Sequence, residues 1–301
     1  MAVLPASGLL RRAVPDGAVL SRALGWWRGY MPTGVASGML LAAASQAWLG
    51  WRITWGCLGL LAWVCVLLIG RSVQSDGQPR SAAGAWPVAL QQAASGLRAT
   101  LSAPGPWAVA VAFGVYSGQW LAVVGFLPTV YAQAGWAAPA AALASAAAAG
   151  VNLVGNVWAG RLLARGLAPR VLLCSGYGAM ALGAVGTFTL TDVAAYAAVL
   201  VFSACGGLVP GTLFALAVRV APAPTLVSTT VGWVQQLSSF GQFVGPPLVG
   251  ALAARVGGWQ WTWVFSAVCG VCGAVLAMDL QRRWAWGGVA GVRRPPLRGG
   301  T

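Results

Sequence analysis

Long apolar runs separated by Arg, Pro, Gly and Trp constrain this chain more than any other feature. A helix needs about 20 mainly apolar residues to cross roughly 30 Å of hydrocarbon. Eight runs meet that need: 29–48, 53–70, 107–131, 138–160, 170–190, 193–218, 226–252 and 260–280. Because only 7% of the residues are charged, against about 25% in a soluble domain, we expect an all-α polytopic membrane protein with about eight transmembrane helices.

The basic residues indicate how these helices are oriented. All eighteen are Arg, and when alternate connections are assigned to one side, only Arg52 and Arg255 fall on the other. This is the positive-inside bias. We therefore expect a multi-pass protein of a bacterial-type inner membrane with both termini cytoplasmic. The net charge of +14 then reflects orientation and contact with membrane lipids, not nucleic-acid binding, which needs Arg clustered with aromatic residues on one face.

The residue types that most enzymes use are scarce in this chain. It contains no Glu, His or Lys and only four acidic residues, all Asp, whereas general acid–base catalysis near neutral pH mostly needs these groups. Cys269 and Cys272 have redox or metal spacing, but they lie in an apolar run without a second pair. We expect them to be small packing residues. The sequence thus predicts no enzyme, no cofactor and no metal site.

Polar side chains in three of the runs share a helix face. Polar groups are costly in hydrocarbon, so such a face usually points into the bundle interior or a water-filled cavity. Hydrogen bonding between helices would explain each amide equally well. The candidates for a solute pathway are Tyr116, Gln119, Trp120, Asn152, Asn156, Gln235, Ser239 and Gln242.

Gly and Pro residues interrupt the same runs or their neighbours and predict broken helices. Transporters commonly bind solute where helices are discontinuous at mid-membrane, so this coincidence favours a pathway over hydrogen bonding alone. The run 226–252 is expected to break at Pro246 and Pro247. The helix-breaking and gating candidates are Gly125, Pro128, Gly207, Pro210, Gly245 and Pro246.

Four stretches carry a family resemblance. They are Gly29-Tyr-Met-Pro32-Thr-Gly34 with Leu49-Gly-Trp51-Arg52, Gly125-Phe-Leu-Pro128-Thr, Gly155-Asn156-Val-Trp-Ala-Gly160-Arg161-Leu-Leu-Ala-Arg165-Gly166, and Gln235-Gln236-Leu-Ser-Ser-Phe-Gly241-Gln242-Phe-Val-Gly245-Pro246-Pro247. In order, they resemble helix five, helix seven, the cytoplasmic loop between helices eight and nine, and helix eleven of the major facilitator superfamily. The last stretch resembles its cyanate-permease-like branch. The loop stretch, with Arg161 and Arg165, lacks the acidic residue of the family signature, so the charge relay of that loop is not carried over.

The resemblance implies a domain organisation and a function. It implies a cytoplasmic segment 1–25, two helices of a first bundle at 26–70, a cytoplasmic connector at 71–103, a six-helix bundle at 104–281 and a basic cytoplasmic tail at 282–301. In that register the chain corresponds to helices five to twelve, without the first four. We expect a permease for a small solute, organic or anionic, working by alternating access. For the missing N-terminal half we consider three explanations: a start site placed too late, a truncated gene, or a partner that supplies it. The alternative is a non-transporting remnant or scaffold.

Overall fold

The structure is a computed structural model that describes residues 29–48, 50–72 and 86–284. Within these residues the chain is helical and contains no strand. The helices are α1 (Tyr30–Trp48), α2 (Gly50–Ser72), α3 (Trp86–Ser102), α4 (Pro104–Val124), α5 (Leu127–Gln133), α6 (Ala138–Gly150), α7 (Asn152–Ala164), α8 (Pro169–Thr189), α9 (Asp192–Gly206), α10 (Leu208–Val220), α11 (Val227–Val256) and α12 (Thr262–Trp284). The predicted segment 1–25, part of the connector and most of the basic tail lie outside the described residues.

Each of the eight predicted runs is helical in the structure. Among the described residues, six spans are long and apolar enough to cross a membrane: Gly50–Ser72, Pro104–Gln133, Ala138–Ala164, Pro169–Thr189, Asp192–Val220 and Thr262–Arg282. The other two runs correspond to α1 and α11, of 19 and 30 residues, which are less apolar than these six. The expected all-α polytopic membrane fold is confirmed.

The helices from α4 to α12 form one packed bundle. α4 lies along α11, α8 packs between α9 and α12, and α10 packs against α7. Tyr177, Phe202 and Leu213 are completely buried in its core. α1 packs against α6 at the side of this bundle, and α2, which packs on α1, has no buried residue.

Glycines allow two of these helix pairs to approach closely. A Cβ on Gly118 of α4 would lie 2.8 Å from the carbonyl oxygen of Gly241 on α11, and a Cβ on Gly155 of α7 would lie 2.8 Å from the Cα of Gly207. Real Cβ atoms essentially never come within 3.0 Å of another heavy atom. Only glycine therefore fits at these two contacts, as expected where helices pack through small residues in a membrane.

The helix breaks agree only partly with the sequence. The chain is interrupted at Gly125 between α4 and α5, and at Gly207 between α9 and α10. Pro128 and Pro210 follow these breaks in the first turns of α5 and α10, where the missing N–H costs no helical hydrogen bond. A further break, at Val151 between α6 and α7, was not predicted.

The predicted break at Pro246 and Pro247 is wrong. α11 runs without interruption from Val227 to Val256 with both prolines inside it. Proline removes one hydrogen bond, yet its fixed φ near −65° suits a helix, and neighbouring helices compensate for such losses in membrane proteins. Here the preceding residue, Gly245, brings α11 against the backbone of Gly118 on α4, and this contact supports the helix at the prolines.

Candidate functional site

A cavity lies between the start of α1 and the helices α4, α7, α10 and α11. Its wall combines aromatic rings with neutral polar side chains. The lining residues are Tyr30, Met31, Pro32, Phe113, Tyr116, Ser117, Trp120, Asn152, Asn156, Pro210, Phe214, Gln235, Ser238 and Gln242.

One wall of the cavity is held by hydrogen bonds between α4 and α7. Asn152 donates from Nδ2 to the Tyr116 hydroxyl at 3.0 Å, and Asn156 donates from Nδ2 to Asn152 Oδ1 at 2.9 Å. All three side chains are at least 95% buried. A buried polar group is costly unless it is paired, so these bonds hold the three side chains in fixed positions.

α9 supports the same wall from behind through Ser203. Its hydroxyl accepts a hydrogen bond from Trp120 Nε1 at 3.1 Å, and its carbonyl oxygen accepts one from Asn152 Nδ2 at 2.8 Å. Ser203 is completely buried and does not line the cavity. Trp120 and Asn152 are therefore positioned by a residue that lies behind the cavity wall.

The part of the wall on α11 is less tightly bonded. The hydroxyls of Ser117 and Ser238 lie 2.6 Å apart, and Gln242 donates from Nε2 to Ser238 Oγ at 3.4 Å. Gln235 Oε1 is buried and has no hydrogen-bond partner among the described residues. Gln235 is thus a lining residue with an unused hydrogen-bond acceptor.

Aromatic rings provide flat surfaces beside these polar groups. Phe113 stacks on Tyr116 with ring centroids 6.0 Å apart and contacts Phe214 edge to face at 5.1 Å. None of the described residues that line the cavity is charged. The arrangement can hold a small molecule by stacking and by hydrogen bonds to neutral groups.

Comparison with known proteins identifies the family of this chain. Residues 1–237 match the sequence model of a family described as Major Facilitator Superfamily. The chain belongs to the major facilitator superfamily. A search of the curated proteins found no match. The protein is therefore a multi-pass membrane protein and, in general terms, a secondary transporter from a generally non-enzymatic family.

Six of the eight predicted pathway residues line the cavity of this transporter. They are Tyr116, Trp120, Asn152, Asn156, Gln235 and Gln242. Of the gating candidates, Pro210 lines it too, whereas Gly125, Pro128, Gly207, Gly245 and Pro246 do not. The structure thus brings together polar side chains that lie far apart along the chain.

Gln119 and Ser239 do not line the cavity. Gln119 is completely buried and donates from Nε2 to Ser266 Oγ on α12 at 2.7 Å, because it lies one helix position before Trp120 and points to another side of α4. Ser239 is exposed on the outside of α11. Its neighbour Ser238 lines the cavity instead, since successive helix positions differ by about 100°.

The two loop residues lie at the end of α7. Arg161 belongs to the last turn of that helix, and Arg165 follows its end. Both side chains are exposed, and the Arg161 guanidinium carbon lies 5.9 Å from the centroid of the Trp158 ring. Neither contributes to the cavity.

Several lining or supporting residues were missed by the sequence analysis. Ser238 had a usable signal, because Gln235, Ser238 and Gln242 are spaced 3 and 4 apart and share a face as well as the predicted set does. Phe113 and Phe214 carried no signal, since an aromatic residue in an apolar run is usual. Ser203 was equally inconspicuous, because its role depends on contacts with two other helices.

Proposed function

We propose that this protein carries a small organic solute across the membrane by alternating access, and that the cavity is the solute site. One observation supports this most directly: Gln235, whose buried carbonyl oxygen has no partner among the described residues, lines a cavity in a member of a transport family. A buried polar atom without a partner is destabilising. Its retention is explained when the solute supplies the missing hydrogen bond.

The transport proposal can be tested without knowing the solute. A cysteine introduced as Ser238→Cys, in a background with the six native cysteines replaced by Ala, is treated with a membrane-impermeant maleimide in right-side-out and inside-out vesicles. Alternating access predicts labelling from both sides, because the cavity opens to each side in turn. The matched control is Ser239→Cys on the lipid-facing side of the same helix, which should stay unlabelled.

Labelling from one side only would contradict alternating access and support the alternative, a non-transporting scaffold. Once a transported solute has been found by uptake into proteoliposomes, Gln235→Ala, Asn156→Ala and Gln242→Ala should each abolish its uptake. Ser239→Ala should leave uptake unchanged. Unchanged uptake in the first three variants would leave these residues with structural roles.

We further propose the register implied by the resemblance, in which α1 and α2 correspond to helices five and six and the bundle from α4 to α12 to helices seven to twelve. The packing of α1 on α6 supports a contact between two bundles, and α2, which has no buried residue, leaves room for further helices beside it. We expect these from a preceding segment or a partner chain. In-frame codons for four apolar spans upstream of Met1 would support the first source, and an immediate stop codon would contradict it.

We also propose that both termini are cytoplasmic, that the protein lies in a bacterial-type inner membrane, and that it belongs to the cyanate-permease-like branch. Two contacts support the assignment of the loops to sides: Trp259 donates from Nε1 to Gln133 Oε1 at 2.8 Å, and Gly96 packs against Leu226. Each contact joins segments assigned to the same side by the Arg distribution. The stretch from Gln235 to Pro247 supports membership of the cyanate-permease-like branch.

A further inference from the structure

We propose that the solute is an uncharged, planar molecule that carries N–H donors, in the chemical class of aromatic amides and nucleobases, and that anions and cations are excluded. This proposal rests on the proposed function, because it takes the cavity to be the solute site. Three observations converge on it: the absence of charge in the described wall, the unused carbonyl groups, and the fixed aromatic faces.

The first observation concerns charge. The described residues of the wall include no Asp or Arg, and the chain has no Glu, His or Lys with which to pair an ion. Asp192 lies at the start of α9 and Asp279 near the end of α12, both away from the lining residues. An ion that leaves water for a site without a counter-charge loses its hydration uncompensated. The described part of the wall therefore disfavours both benzoate-like and amidinium-like solutes.

The second observation concerns the balance of donors and acceptors. Asn152 uses its amide group fully, since Nδ2 donates to Tyr116 and Ser203 and Oδ1 accepts from Asn156. Asn156 also uses its Nδ2, and in the described part of the chain no donor reaches its Oδ1. Gln235 Oε1 is likewise unused. The remaining carbonyl oxygens match a solute that donates N–H groups.

The third observation concerns shape. Trp120 is fixed by its bond to Ser203, and Phe113 is fixed between Tyr116 and Phe214. Aromatic faces that are already ordered gain stacking contacts without a further loss of side-chain freedom. A planar ring fits against such faces better than a puckered one. Planarity and N–H donors together describe an aromatic amide or a nucleobase.

The decisive experiment compares probes of nearly the same shape. Binding of benzamide, benzoate, benzamidinium, N,N-dimethylbenzamide and cyclohexanecarboxamide is measured at equilibrium on the purified full chain in lipid nanodiscs. We expect benzamide to bind. We expect the affinity for each of the other four probes to be lower by at least about tenfold. These four differ from it in charge, in the N–H donors or in the flat ring. The proposal is overturned if no probe binds, or if benzoate or benzamidinium binds as tightly as benzamide.

Variants of one residue test whether the binding occurs in this cavity. Gln235→Leu should weaken benzamide binding about tenfold, because it removes the carbonyl acceptor at nearly constant size. The neighbouring Gln236 is exposed outside the cavity, so Gln236→Leu is the matched control and should bind normally. Gln235→Glu should acquire binding of benzamidinium, a gain that misfolding cannot produce. Equal benzamide binding by both Leu variants would place the probe elsewhere and overturn the assignment.

The outcome is separable from that of the transport proposal. The expected probe pattern together with one-sided labelling of Ser238→Cys would support the solute class and reject alternating access. Two-sided labelling without any preference for uncharged probes would support alternating access and reject the solute class.

Discussion

Replacing Gly155 by Ala is predicted to destabilise the protein, because this glycine lies where α7 meets the break between α9 and α10. Its new Cβ would lie 2.8 Å from both the Cα of Gly207 and the backbone N of Leu208, and it would overlap the carbonyl oxygen of Ala204. Ordinary contact begins at 3.4 Å, so the helices must separate by at least about 0.6 Å. A gap of that size forfeits about a quarter of the dispersion energy along the interface.

We expect Gly155→Ala to lower the free energy of unfolding by about 2 kcal/mol, in the middle of the range for overpacked cores. At about 2.1 cal/mol/K of unfolding entropy per residue, this loss lowers the Tm of the 301-residue chain by about 3 °C, measured by thermal unfolding of the purified protein in detergent. The matched control is Gly178→Ala on α8, where a new Cβ meets no atom within 4 Å. Ala is the better helix former by about 0.5–1 kcal/mol, so this control should not lose stability.

A Tm of Gly155→Ala equal to that of the unmodified protein would refute the close backbone contact between α7 and the start of α10. An equal fall in both variants would refute it too, since the loss would then follow from any added methyl group. The same displacement would move Asn152 and Asn156 relative to the lining residues of α10. Binding at the cavity should therefore weaken together with stability.

Three further predictions follow from single contacts. Tyr177→Phe should cost about 1–2 kcal/mol of stability, because the buried Tyr177 hydroxyl donates to the Ala112 carbonyl at 2.6 Å. Tyr196→Phe removes a longer bond of 3.4 Å and should cost less. A larger loss of Tm in Tyr196→Phe than in Tyr177→Phe would contradict the geometry. A double-mutant cycle of Ser117→Ala and Ser238→Ala should give a coupling of about 0.6 kcal/mol, and a zero coupling would mean that the two hydroxyls do not bond. Initial uptake should stay constant from about pH 5.5 to 8, because no carboxylate or imidazole lies among the described lining residues and a phenol ionises only near pH 10; a tenfold change across that range would indicate a titrating group in the pathway.

The helices were predictable from the sequence because hydrocarbon leaves the backbone few choices. A segment in the membrane must satisfy its own backbone hydrogen bonds, so a long apolar run becomes a helix. This argument applies to α2 as well as to the buried α4, although the two differ completely in packing. Composition alone contains no information about which helices touch, and the contacts of α4 with α11 became visible only in the structure.

Pro246 shows why local rules fail inside such a bundle. The cost of proline in a helix is a local quantity, and it predicts a break. Whether the helix continues depends on what packs beside it, and here the approach of Gly245 to Gly118 holds α11 in place. At Gly125 and Gly207 the local prediction agreed with the structure, because a new helix starts directly afterwards with proline in its first turn.

The candidate site was predictable to within one helix position. Periodicity identifies a polar face, but it does not choose between Ser238 and Ser239 when both adjacent residues are polar. The same uncertainty separates Gln119 from Trp120. The choice is made by packing: Ser238 has a partner in Ser117 on the adjacent helix α4, and Gln119 has one in Ser266 on the far side of α4.

The buried amides can be interpreted as hydrogen-bonding links between helices or as parts of a solute pathway. Each interpretation fits a different residue. Asn152 has its hydrogen-bonding groups occupied by Tyr116, Ser203 and Asn156, as expected of a group that joins helices. Gln235 lines the same cavity, and its buried carbonyl oxygen has no hydrogen-bond partner within the described chain. A satisfied amide has little left to offer a ligand, whereas an unsatisfied one binds a ligand without first breaking a bond. The cavity thus has a part on α4 and α7 that is fixed by hydrogen bonds, and a part on α11 in which Gln235 keeps an unpartnered carbonyl oxygen; under the proposed function, this second part is the one that would select the solute.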